Sequence, residues 1–156
     1  MILFKRIAYR NFLSSGNTPT EINLTGEITT LIIGHNGSGK STMLDALCFG
    51  LFNKAFRKIN KNQLVNSTNE KECLVEVEFS IGNKEYKIIR GIKPNIFEIW
   101  INGELQNQVA ASTDQQKYLE DIILKLNYKS FTQIVILGSA SLFLLCNFLR
   151  PIVVKL

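Results

Sequence analysis

Gly34-His35-Asn36-Gly37-Ser38-Gly39-Lys40-Ser41 is the stretch on which the reading of this chain turns. It satisfies G-x-x-x-x-G-K-[ST] at every fixed position. A short apolar, β-branched run, Thr29–Ile33, enters it and reads as a buried strand stopped by glycine. Lys40–Phe52 leaves it with helical spacing: Met43, Leu44, Leu47 and Leu51 share one face, with Ala46 beside them. Glycines at 34, 37 and 39 let the backbone turn tightly and aim successive amide N–H groups inward. The helix that follows adds its unpaired first-turn N–H groups and the positive end of its dipole.

A nucleoside triphosphate with Mg²⁺ is the ligand such a concavity suits. Lys40 would lie along the β- and γ-phosphates, Ser41 would offer its hydroxyl to Mg²⁺, and Thr42 could reach the α-phosphate. Asn36 can brace the loop from inside or touch the γ-phosphate. His35, the only histidine, reads either as a general base or as solvent-facing filler.

Working outward, Phe4–Phe12 and Thr20–Leu24 read as strands separated by a turn containing Gly16, Asn17 and Pro19. Downstream of the helix, Asn53–Asn69 is polar and basic and reads as a loop. Leu74–Ile81 alternates cleanly, with Val75, Val77, Phe79 and Ile81 opposite Glu76, Glu78 and Ser80. Gly82-Asn83 turns it into Glu85–Ile89, and Ile96–Ile101 follows, itself turned by Asn102-Gly103. An antiparallel meander therefore follows the first helix. Thr113 and Gln116 have capping-box spacing, and Tyr118, Leu119, Ile122, Ile123 and Leu126 supply a helical face. Tyr128–Leu137 is compatible with helix or strand.

The 156 residues suit one domain, and 46% hydrophobic content is enough for an ordinary core. A formal charge of +5 favours an anionic partner. Cys48, Cys73 and Cys146 match no zinc spacing, and an odd number argues against a disulfide scaffold, so a reducing compartment, the cytoplasm, is expected. The N-terminus lacks the pattern of a signal peptide, because Lys5, Arg6 and Arg10 interrupt its apolar residues. Ile134–Leu149 is nearly all apolar or small, yet too short for a comfortable membrane span, and is expected to be buried.

Two strands before the phosphate loop and a meander after its helix resemble the nucleotide-binding heads of ABC-type ATPases. GHNGSGKST is similar to the loop of that superfamily. Arg10-Asn11-Phe12 with Ser14 resembles the opening of the SMC-like DNA-repair ATPases, and TMLDALCFGLF over Thr42–Phe52 resembles their first helix. FRKINKNQLVNSTNEKECLVEVEF, YKIIRGIKPNIFEI and SFTQIVILGSAS are most similar to the SbcC-type branch that includes bacteriophage recombination-endonuclease ATPase subunits. The resemblance implies an α/β P-loop NTPase fold, the N-terminal lobe of an ABC/SMC-type head with an antiparallel β meander, over residues 1–141. It implies ATP and Mg²⁺ as cofactors. DNA, a nuclease subunit and a second copy of the head in the full-length protein are the implied partners, with no membrane, in the cytoplasm of a host if the gene belongs to a phage.

Residue by residue, the resemblance places Arg10 and Asn11 beside the nucleotide, although Arg10 also reads as an exposed strand-end charge. Lys54, Arg57, Lys58 and Lys61 fall near the nucleotide and the DNA-facing side, or form a solvated loop. Where relatives carry a magnesium-contacting glutamine, this chain has Ser139, whose hydroxyl could orient water on Mg²⁺. No apolar strand ends in Asp-Glu, and there is no L-S-G-G sequence, long heptad stretch or C-x-x-C. Binding groups without a general base or a transition-state clamp imply an ATPase by family that is inactive alone, with no catalytic residue to assign. An ABC transporter ATPase, in which Tyr9 would stack on adenine, and a non-catalytic nucleotide-gated DNA-binding module are the alternatives.

The resemblance stops near Ser141, and residues 142–156 form a divergent tail. Leu145-Cys146-Asn147-Phe148 and Ile152–Leu156 can be encoded so that a shift of one nucleotide reads Met-Gln-Leu and then Arg-Arg-Lys, in the family's order. A frameshifted tail is the expectation. Sequencing the gene checks it: the other frame should continue into a coiled coil and an Asp-Glu strand, and a frame that does neither removes the idea.

Overall fold

The computed structural model describes residues 1–27, 31–106 and 112–136. The elements are β1 (Ile2–Arg10), β2 (Thr20–Asn23), α1 (Lys40–Phe52), β3 (Cys73–Ile81), β4 (Lys84–Ile92), β5 (Ile96–Ile101), β6 (Glu104–Leu105), α2 (Ser112–Lys117) and α3 (Tyr128–Ile134). A 3₁₀ turn, Lys61–Leu64, interrupts the stretch expected to be loop, and a π-helical segment, Tyr118–Leu124, continues α2. All six strands join one antiparallel sheet in the order β2-β1-β3-β4-β5-β6. The meander is thus no separate unit. β3 pairs along the whole of β1, from Ile2 opposite Ile81 to Arg10 opposite Leu74, with one irregularity between Phe4 and Arg6.

Strand alternation divides the sheet into two faces. Ile7, Val77, Ile88 and Ile99 lie in one row across four strands, all buried, and form the floor under α1. On the outer face, Arg6 binds Glu21, Glu76 and Glu78, and Lys87 binds Glu76 and Glu78. The helix lies close on this floor at Gly50, where a Cβ would come within 2.7 Å of the Val77 side chain and 3.3 Å of Val75.

Several expectations need correction. Leu31–Ile33 is not a strand, and Leu31 and Ile33 are 58% and 83% exposed. A buried strand needs a ladder on both sides, and the sheet ends at β2 without pairing this segment. Helix α1 is buried nearly all round: Cys48, Phe49 and Phe52 are as enclosed as Leu47 and Leu51. Thr113 lies inside α2, so it forms no capping box; Gln116 makes tertiary bonds instead. Winding as a π-helix turns Leu119, Ile123 and Leu124 inward and leaves Tyr118 and Ile122 exposed. Residues 128–134 are helix, capped by the Asn127 side chain on the Ser130 amide at 2.9 Å.

Cys48 and Cys73 are free, buried thiols that burial pushes up to about 12, as suits unreactive core residues. Among the described residues no helix is long and apolar enough to cross a membrane. The start of the apolar run is only partly buried, with Ile134 and Val135 exposed and Ile136 enclosed. Ser139, Cys146 and residues 142–156, expected to form a divergent tail, lie outside the described residues.

Candidate functional site

The phosphate loop ends on α1 as its sequence demands. Gly37 (φ 86°) and Gly39 (φ 91°) occupy the left-handed region, where a side chain is strained. A Cβ on Gly34 would collide with the Ser38 hydroxyl, so the loop closes only around glycine there. Ser38 donates its amide to the His35 carbonyl (3.1 Å) and Thr42 to Gly39 (3.0 Å). The amides of Gly37, Gly39, Lys40 and Ser41 find no acceptor among the described residues. These open donors fit the polyphosphate of ATP, with the α1 dipole behind them. Lys40 curls over the loop and donates its Nζ to the carbonyls of Gly34 and His35, the latter at 2.8 Å.

Beside Lys40 is a cleft of about 180 Å³ lined by Tyr9, Ile22, Ile32, Ile33, Ser38, Gly39 and Met43. Its apolar wall comes from β1, β2 and the segment before the loop. Ser41 is exposed, in keeping with a hydroxyl available to Mg²⁺, whereas Thr42 is buried. Asn36 is exposed at the loop's rim. Among the described residues no cluster of three or more His, Cys, Asp or Glu could hold a metal without the nucleotide's oxygens.

Arg10 and Asn11 are not brought into this cleft. Arg10 leaves β1 on the face opposite Tyr9, and its Nε is buried with no partner among the described residues. Asn11, with φ 48°, is 1% exposed and spent on structure. Its amide donates to Asn17 (3.1 Å) and the Glu72 carbonyl (3.4 Å) and accepts from Asn69 (2.6 Å). Asn66 completes this network by donating to the Leu13 and Ser15 carbonyls.

The basic loop divides in two. Arg57 is held by Asp45, a fully buried carboxylate one and a half turns into α1: the Arg57 amide reaches Oδ1 at 2.9 Å, and its Nε and guanidinium nitrogen reach Oδ2 at 2.7 and 2.6 Å. Lys61 donates to Asn95 at 3.4 Å, and burial together with Arg90 holds its ammonium below the usual range. Lys54, 5.6 Å from the centre of the Tyr128 ring, and Lys58 stay exposed. On the outer sheet face Arg6 and Lys87 are already matched by Glu21, Glu76 and Glu78, and in the basic loop these two lysines are where an anion can be met.

Two polar residues sit at the far end of α1: Arg90, which motif reading missed, and Gln116, which it read as part of a cap. Arg90 is 4% exposed on β4. It donates Nε to the Gly50 carbonyl at 3.0 Å and Nη2 to Gln116 at 2.7 Å, with its guanidinium 3.7 Å from the Phe97 ring centre. Burial lowers its pKa to about 9 against the pull of Glu120, and the group stays protonated at neutral pH. The signal was available: Arg90 takes an inward position in the alternation of β4, two residues after Ile88.

Comparison with known proteins agrees with this geometry. Exonuclease subunit 2 of Enterobacteria phage T4 is 50% identical over 135 residues, which cover 86% of this chain and 24% of the relative. The DNA double-strand break repair Rad50 ATPase of Sulfolobus acidocaldarius is 29% identical over 143 residues, 90% of this chain and 16% of that protein. The chain therefore spans about a quarter or less of the curated relatives it matches. A structure from work on ATP-driven dimerization and DNA-stimulated activation of SMC ATPases superposes with a TM-score of 0.65 over 90% of both chains, at 24% identity. Its likeness supports the fold: the N-terminal lobe of an SMC-type head, an α/β P-loop NTPase with an antiparallel meander. The AAA domain family model matches residues 6–150, through the first strand, the phosphate loop and the meander alike, and so the chain belongs to the AAA domain family, among the SMC-like, Rad50-related ATPases.

Proposed function

We propose that this chain is the ATP-binding N-terminal part of a DNA double-strand-break repair or recombination ATPase that works with a nuclease subunit. The observation that carries the reading is the row of open amides at Gly37, Gly39, Lys40 and Ser41 on the start of a buried helix. ATP would be held there by those amides, by Lys40 and by the loop residues Gly34, Asn36, Ser38 and Thr42. Mg²⁺ supplies charge neutralisation on the phosphates, with Ser41 as its ligand and Ser139 as a further candidate. Arg10 and Asn11 stay outside this cleft, and Asn11 holds the turn that follows β1. DNA, the nuclease subunit and a second head are the proposed partners, supported by the names of the relatives and by exposed Lys54 and Lys58.

Steady-state phosphate release and calorimetry together test this reading. The chain should bind MgATP in the calorimeter and release phosphate at background rate, because neither an Asp-Glu strand nor a signature loop is in its sequence. No heat of binding would overturn the nucleotide site. A turnover near 1 s⁻¹, the low end for ordinary enzymes, that is abolished by Lys40→Ala would overturn the view that the chain lacks its catalytic base.

A further inference from the structure

We propose that Arg90 and Gln116 are positioning residues of the phosphate loop, holding α1 by the end opposite the phosphates; the inference rests on the reading of Gly34–Ser41 as a nucleotide site. A helix leaves its last carbonyls without intrahelical partners and concentrates negative charge there. Helix α1 has no basic residue in its last turn to answer that charge. Three successive carbonyls are instead taken in order. Phe49 accepts from the Asn53 amide at 2.9 Å, Gly50 from Arg90 at 3.0 Å and Leu51 from Gln116 Nε2 at 2.9 Å.

The pair is built to stay put. Arg90 is pressed against Phe97 in the sheet's inner row. The Gln116 amide is used at both ends: Oε1 accepts from Arg90, and Nε2 donates to Leu51 and, at 2.7 Å, to Glu120. Both hydrogens of that amide are thus committed, which fixes which way it points. The 13 residues of α1 form a rod roughly 20 Å long. At one end lie the open amides of Lys40 and Ser41, and at the other lie Arg90 and Gln116. Close contact at Gly50 sets the helix's height on the sheet, and hydrogen bonds along its axis set its position lengthwise. Releasing the far end lets the rod shift against the sheet, and the phosphate-binding amides shift with it. The same bonds tie Ser112–Leu124 to the far end of α1, and through the helix to the phosphate loop.

Isothermal calorimetry with MgATP, alongside amide hydrogen exchange of the nucleotide-free protein, tests this. Gln116→Leu keeps the side chain's bulk and loses its bonds; Kd should rise about tenfold, a loss of about 1.4 kcal/mol, with faster exchange at the Ser38 and Thr42 amides. Gln116→Glu keeps a partner for Arg90 but loses the donor to Leu51 and should raise Kd several-fold. Arg6→Ala, on the sheet's outer face away from α1, serves as a control: it loses the ion pairs to Glu21, Glu76 and Glu78, lowers stability and should leave Kd unchanged. Binding by Gln116→Leu within twofold of the parent, with Ser38 and Thr42 exchange unchanged, would overturn the positioning role. So would an equal weakening by Arg6→Ala at the same loss of melting temperature. Lys40→Ala in the same series separates the two readings: if it binds as the parent does, the nucleotide site itself has failed.

Discussion

Replacing Lys40 by alanine is expected to raise the Kd for MgATP on the order of 100-fold while leaving the melting temperature almost unchanged. A charged donor to phosphate contributes about 1.5–3 kcal/mol, and Lys40 is the one cation of the loop. Among the described residues its ammonium bonds only to the carbonyls of Gly34 and His35, both exposed residues, groups that water satisfies equally well when the side chain is gone. Stability should therefore move by no more than about 0.5 kcal/mol. Calorimetry and thermal unfolding of the same preparation check both halves. Equal MgATP affinity in parent and variant would remove the phosphate site, and a collapse in melting temperature would show that Lys40 is structural.

Arg57→Ala should have the largest effect on stability, a loss of about 2 kcal/mol, because it strands the enclosed Asp45 carboxylate although the Arg57 side chain itself is 48% exposed. Asp45 is fully enclosed on α1, and after the substitution only the backbone amide of residue 57 still answers its carboxylate. The charge can be removed to recover the loss. Asp45→Asn combined with Arg57→Ala should be more stable than Arg57→Ala alone, because the amide costs less to bury than an uncompensated carboxylate. Urea denaturation of the parent, both single variants and the double variant measures the coupling. Lys58→Ala, an exposed residue of the same loop, provides the scale, expected within about 0.5 kcal/mol of the parent. An Arg57→Ala loss no larger than that of Lys58→Ala would show that the Asp45 bond contributes nothing. The consequence for function is that Arg57, counted in sequence among the loop's basic residues, owes its position to the helix that carries the phosphate loop.

The phosphate loop, the helix after it and the hairpins of the meander were legible in the sequence because each is decided locally. Gly37 and Gly39 stand where the backbone needs φ above zero, Asn102-Gly103 stands at a turn, and Val75, Val77 and Phe79 alternate with the charges of β3. Such signals depend on neighbours a few residues away, and a single chain carries them in full. What the sequence left undecided depended on distant partners. Thr29–Ile33 has the composition of a buried strand, but a strand exists only where another edge pairs with it, and its described part, Leu31–Ile33, pairs with none, the sheet of described residues ending at β2. That β3 should lie against β1, making the meander continuous with the first two strands, is a pairing between segments about 70 residues apart and leaves no local trace. The same holds for Asp45 with Arg57 and for Arg90 with Gln116. In sequence they are a helix polar residue, a loop cation, an odd charge in a strand and a supposed helix cap. Burial turns them into bonds, because a polar group enclosed without a partner is costly, and only the tertiary structure decides which partner comes within reach.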